Sequence, residues 1–165
     1  MAELPVALWV LFVVLTLPLI DLATIGIRTT FLVAAAHDAA HAAARAKSFS
    51  VAVDANDPSA QEAASAAAAE DLRSFTEITT GAITTNIVIT DISTGNTTRQ
   101  ATPLKNPADI NTNTYSVEVV VSAKVDPLIN FSAGGLLPVV PGLSAPMTIV
   151  CAAQEFSEYP QGLNQ

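Results

Sequence analysis

Apolar positions are distributed unevenly along the chain. From Leu4 to Ile20 every residue but Thr16 and the two prolines is hydrophobic, and after Asp21 the apolar run resumes as far as Ile27 before Arg28 interrupts it. Those 24 residues would form about 36 Å of helix at ~1.5 Å per residue, enough to cross a bilayer core of ~30 Å. A secretory signal peptide is the rival reading. Its apolar region should span only ~7 to 15 residues behind a basic segment, and here the run is longer with nothing basic ahead of it.

Beyond Arg28 the segment TTFLVAAAHDAAHAAARAKSF has no Gly or Pro and is dominated by alanine, the strongest helix former. The helix is therefore expected to continue to Lys47, about 66 Å from Leu4, so its second half must stand outside the lipid or pack on partners. The smooth alanine surface of residues 34 to 46, with Ala35, Ala39 and Ala42, suits close approach to another helix. Pro18 removes one backbone donor and is expected to kink or locally melt the helix, with Thr16 or a neighbouring helix meeting the freed carbonyl. The natural division is an anchor and assembly helix over residues 1–50 and a folded domain over residues 51–165.

In that domain the periodicity changes. SAQEAASAAAAEDLRSFTEI reads as a second helix, with Ser59 and Glu62 forming a capping box and Ala63, Ala66, Ala67, Leu72 and Phe75 as the face against a sheet. Residues 83–92, 114–125 and 146–156 are rich in β-branched residues. In the second of these, Tyr115, Val117, Val119, Val121, Ala123 and Val125 alternate with mostly polar residues, the signature of a strand with one buried face. Small polar residues between 93 and 113 predict an exposed loop. Pro127 to Pro146 is too apolar for a free linker and is expected to pack on the sheet or touch the membrane surface. The fold class is α+β: a long N-terminal helix, a second helix, and a small antiparallel sheet of three to four strands.

Charge narrows the options. Fifteen acidic residues against seven basic ones give a net charge of -8, and the basic residues are scattered, which disfavours nucleic-acid binding. The single cysteine, Cys151, excludes an intrachain disulfide and is expected to be a small buried residue of the last strand. No GxSxG, HExxH, P-loop or Gly-rich dinucleotide signature occurs, and Asp54, Asp57, Asp109 and Glu118 form no recognisable acid/base pair; an enzyme is not expected, nor a cofactor. His37 and His41 sit at i, i+4 beside Asp38, a spacing that can hold a metal. With no third ligand evident, they read as a polar stripe on an exposed helix. Asn96-Thr97-Thr98 and Asn130-Phe131-Ser132 match the N-glycosylation pattern, which argues only for surface exposure.

Read in order, Glu3, Leu17-Pro18, Asp21, the alanine run 34–46, and then LLPVVPGLSAPMTIVCAAQEF closing on Glu155 resemble the TadE-like (TadE/TadG) pseudopilins of the tight-adherence pilus, relatives of type IV pilins. The resemblance covers both ends of the chain, about 70 residues. It implies a pilin-like structural subunit that assembles through its N-terminal helix with copies of itself or other pilin-like subunits. It also implies a single-pass inner-membrane protein with its C-terminal domain outside the cytoplasm, and a cell-surface filament. Glu3 would meet the N-terminal amine of a neighbouring subunit, although the family's glutamate usually sits fifth after the cleavage point and Glu3 is third here. A basic leader removed by a prepilin peptidase would reconcile the orientation with Arg28, Arg45 and Lys47, which otherwise place the C-terminal part in the cytoplasm. Asp21, at the other end of the apolar run, is expected at headgroup level in water. The alternative is a tethered extracytoplasmic binding module that does not polymerise; a third option is an accessory subunit using His37 or His41 for a cofactor.

Overall fold

The computed structural model describes residues 3–54, 56–75, 77–129 and 140–165. Helix α1 (Glu3–Ala44) has 42 residues and runs unbroken through Pro18. Helix α2 (Ala60–Leu72) follows, then strands β1 (Ile78–Asp91), β2 (Thr97–Gln100), β3 (Asn113–Val125) and β4 (Met147–Phe156), with a closing 3-10 turn at Pro160–Asn164. The sheet is antiparallel, in the order β2-β1-β3-β4. This is the α+β architecture expected: one long apolar helix, a second helix and a four-stranded sheet.

Alternation builds the core. Val117, Val119, Val121, Ala123 and Val125 of β3 are all buried, and pairing aligns them with Ile87 of β1 and Ala153 of β4 on the same face. The other face is mainly polar, with Val88, Val120 and Val150 among its members. There Glu118 accepts from Asn86 Nδ2 at 3.3 Å and from Arg99 Nε at 3.2 Å. Near its start β1 shifts register between Thr80 and Ile83, an irregularity of the β-bulge kind that bends the strand locally.

Both helices cover the inner face. On α1 the buried positions Asp21, Ile25, Arg28, Leu32, Ala35, Ala36, Ala39, Ala40 and Ala43 recur at intervals of three and four, one stripe of a helix of 3.6 residues per turn. On α2 the buried set is Ala60, Ala64, Ala68 and Leu72, one residue away from the expected face of Ala63, Ala66 and Ala67. With alanine at nearly every position, hydrophobicity cannot choose the face, and packing against α1 and β1 decides it. The capping box forms as expected: Ser59 Oγ accepts from Glu62 N–H at 3.3 Å, and the Glu62 carboxylate accepts from Ser59 N–H at 3.1 Å.

Two further expectations change. The second half of α1 belongs to the folded core, so the division at residue 50 gives way to one at Asp21, where the helix enters the domain. The segment 93–113 is not a free loop: it contains β2, and its Ala108 is buried in the core. Asn130-Phe131-Ser132 and half of the stretch from Pro127 to Pro146, residues 130–139, lie outside the described residues. The C-terminus is tied in by hydrogen bonds from Phe49 N–H and Ser50 N–H to the Gln165 carbonyl, at 3.0 and 2.9 Å. Gly162 permits this closure, because a Cβ there would lie 1.7 Å from the Lys47 carbonyl oxygen.

Candidate membrane and assembly helix

The two halves of α1 meet different surroundings. Leu8, Trp9, Val10, Leu11 and Phe12 are consecutive, cover more than a full turn, and are all exposed. A helix that is apolar all round is stable where its surroundings are apolar, in lipid or against other helices. Among the described residues α1 is the one helix long and apolar enough to cross a membrane. Three hydroxyls at the start of the upper half bond back to carbonyls four residues earlier: Thr24 to Ile20 at 2.8 Å, Thr29 to Ile25 at 2.8 Å, and Thr30 to Gly26 at 3.1 Å. Their polar atoms are thereby satisfied within the helix.

Asp21 stands at the transition. Expected in water, it is 0% exposed, and its Oδ1 accepts the Ile129 N–H at 3.0 Å. Its Oδ2 is buried with no partner among the described residues. Two turns on, Arg28 is 8% exposed; it donates to the Asp126 carbonyl and pairs with the Glu77 carboxylate. Together Asp21 and Arg28 fasten one stripe of α1 to the chain leaving β3 and to the chain entering β1. A third contact lies between them: Gly142, at φ +85°, is placed so that a Cβ would come within 2.7 Å of Ile25 Cδ1.

The other candidates are dispersed. Pro18 is half-buried in the lower helix, and Glu3 opens α1 with its side chain outside the described structure. Ala35 and Ala39 are fully buried in the chain's own core and Ala42 is half-buried, so the Ala35 and Ala39 stripe of the alanine surface packs within the chain's own fold, in one cluster with α2 and the sheet. His37 and His41 are exposed, and the described residues contain no cluster of three or more His, Cys, Asp or Glu side chains able to hold a metal. Asp38 turns to α2, where it and Asp71 line a groove of about 270 Å³ with Phe31, Ala34, Ala35, Ser74 and Phe75. The Phe31 and Phe75 rings close it, centroids 4.4 Å apart. Burial first, and then the nearby Asp38 carboxylate, push the Asp71 carboxyl above its ordinary value. Cys151 is half-buried on the inner face opposite Val121, and burial raises its thiol pKa, which suppresses thiolate reactivity.

The collar of Arg28, Glu77, Asp126 and Ile129 escaped the sequence reading. A signal was present: Asp21 and Arg28 lie seven residues apart on the stripe of Ile25 and Leu32, so the same pattern that buries the latter two buries the former. Comparison with protein-family models, curated proteins and solved structures found no match.

Proposed function

We propose that the protein is a single-pass, membrane-anchored structural subunit of the pilin-like kind. Residues Leu4 to Ile20 of α1 anchor and assemble it, and its α+β domain is displayed outside the cytoplasm. One observation carries the reading: a single continuous helix whose upper half is a core element and whose lower half, apolar on every side, projects from the fold. A soluble domain gains nothing from such a projection, whereas a membrane or a bundle of like helices covers it. The ordered resemblance from Glu3 through the alanine run to Glu155 supports a filament subunit, and the reading requires neither a cofactor nor catalysis.

Cysteine scanning tests it. Single cysteines placed at successive positions from Ala7 to Leu15, in a full chain carrying Cys151→Ser, are oxidised in native membranes. A pilin-like subunit gives ladders of cross-linked multimers at one helical stripe, and Glu3→Ala diminishes them. Monomers at every position would reject assembly through this helix. A second reading, a tether that does not polymerise, is favoured by the burial of Ala35 and Ala39 in the chain's own core, which removes that stripe from contact with a partner. That reading predicts a cross-link to one different protein and no ladder.

A further inference from the structure

The length of the free part of α1 constrains where the domain sits. Between the charged residues Glu3 and Asp21 the uncharged run holds 17 residues, about 26 Å of helix, whereas a bilayer core of ~30 Å needs ~20. Asp21 therefore lies at the edge of the hydrocarbon, with no exposed stalk between membrane and domain. Ile129, whose N–H holds Asp21, lies at the same level.

The surface at that level is apolar. Leu128 is 50% exposed, Val140 41% and Met147 39%. Leu128 adjoins Ile129, and Met147 and Val140 flank the Gly142 turn that packs on Ile25. On α1 itself Leu22 and Ile27 are also exposed. The first ion pair above Asp21, Arg28 with Glu77, stands seven residues higher, roughly 10 Å along the axis, with Ile27 directly beneath it in the chain. An apolar rim below a polar belt at that spacing matches the ~5–10 Å depth to which interfacial elements enter the boundary between headgroups and acyl chains. Lys124 is exposed, one residue from the Val125–Met147 pair.

We infer that the base of the domain, formed by Leu128, Val140 and Met147 beside Leu22 and Ile27, is a second membrane-contacting surface seated in the lipid headgroup layer. The inference rests on the reading that α1 spans a bilayer. Burial of Asp21 follows from it: a carboxylate at that depth is costly when bare, and the Ile129 N–H and the surrounding chain shield it from lipid.

The test uses the full chain with Cys151→Ser, reconstituted in phosphatidylcholine vesicles. A single cysteine at Leu128, Val140 or Thr97 carries an environment-sensitive dye, and circular dichroism verifies that each variant is folded. Thr97 serves as the distal control, since it pairs with Thr90 at the end of β1 remote from Ile78. The native Trp9 reports the span independently through quenching by lipids brominated along the acyl chain. The expected result is several-fold weaker quenching by aqueous iodide at Leu128 and Val140 than at Thr97, together with quenching by headgroup spin-labelled lipid. Equal iodide access at all three sites, with Trp9 still quenched by brominated lipid, would overturn the inference while leaving the span intact. Shielding from both iodide and spin-labelled lipid would overturn it in favour of a protein neighbour at the base. Loss of Trp9 quenching would overturn the span and the inference with it.

Discussion

Ala39 distinguishes a core stripe from an assembly stripe. It is fully buried in a cluster that includes Ala60, Ala64 and Ala68 of α2 and the valines of β3, so its methyl group occupies a filled site. Ala39→Leu adds three carbons where the neighbours are largely alanine and backbone, groups that cannot rotate away, and overpacking of this kind costs about 1–3 kcal/mol. Ala39→Gly acts in the opposite sense on volume, but loses ~1 kcal/mol of helix propensity and ~0.8 kcal/mol for the buried methyl. At roughly 2–4 °C per kcal/mol for a chain of this size, both variants should lower the melting temperature of the full chain in mild detergent by several degrees, followed by circular dichroism. Ala66→Leu, at an exposed position of α2, should stay within about 0.5 kcal/mol of the parent. If both Ala39 variants melted with the parent while cross-linked multimers disappeared, the stripe would face another subunit and its place in the core would be refuted.

Ser59→Ala removes the acceptor of the α2 capping box and should destabilise the fold by ~1 kcal/mol in the same melt, with Glu62→Gln largely spared because an amide oxygen still accepts from Ser59 N–H. Asp71→Asn tests the carboxylate pair. The folded Asp71 pKa lies above its ordinary 3.8, so the folded state holds the proton more tightly and stability falls as pH rises through that interval. The asparagine variant should therefore be the more stable at pH 7, and its advantage should vanish below about pH 4; a constant advantage at every pH would exclude the charge as its origin. Asp91 has the opposite sign. Hydrogen bonds from the Ser93 hydroxyl and from Thr94 N–H hold it down at about 2 against an ordinary 3.8, so its contribution is complete above pH 4 and lost as pH falls through 2. Asp91→Ala should flatten that part of the acid unfolding curve.

What could be read beforehand follows from where burial leaves a pattern. β3 was legible because its valines alternate, and the capping box because Ser59 and Glu62 stand three apart at the head of an alanine run. β2 was not: Thr97–Gln100 is polar throughout, and only pairing with β1 makes it a strand. The face of α2 was missed by one position, since alanines at 63, 64, 66, 67 and 68 differ too little in hydrophobicity for periodicity to choose among them. Small residues along α1 announced close packing correctly but could not name the partner, because α2 and a helix of another subunit present the same smooth surface. Asp21 was misplaced for a related reason: its donor, Ile129, is 108 residues away in the chain.

The same polar contacts also determine how the two halves of α1 are turned relative to one another. A rotation of the upper helix by one residue would swing Asp21 out of reach of Ile129 N–H and remove Arg28 from both Glu77 and the Asp126 carbonyl, leaving charged groups facing apolar surface. Alanine and valine packing alone would resist such a rotation weakly, because neighbouring alanines are nearly interchangeable. Buried polar groups are best attested as devices that select register, even where they add little net stability. Since α1 continues through Pro18 to Leu4 without interruption, the register chosen at Asp21 and Arg28 also sets which side of Trp9, Phe12 and Leu15 lies beneath the sheet and which lies opposite. There is no intervening linker to relax that relation, so any partner gripping the lower helix orients the domain as well as holding it.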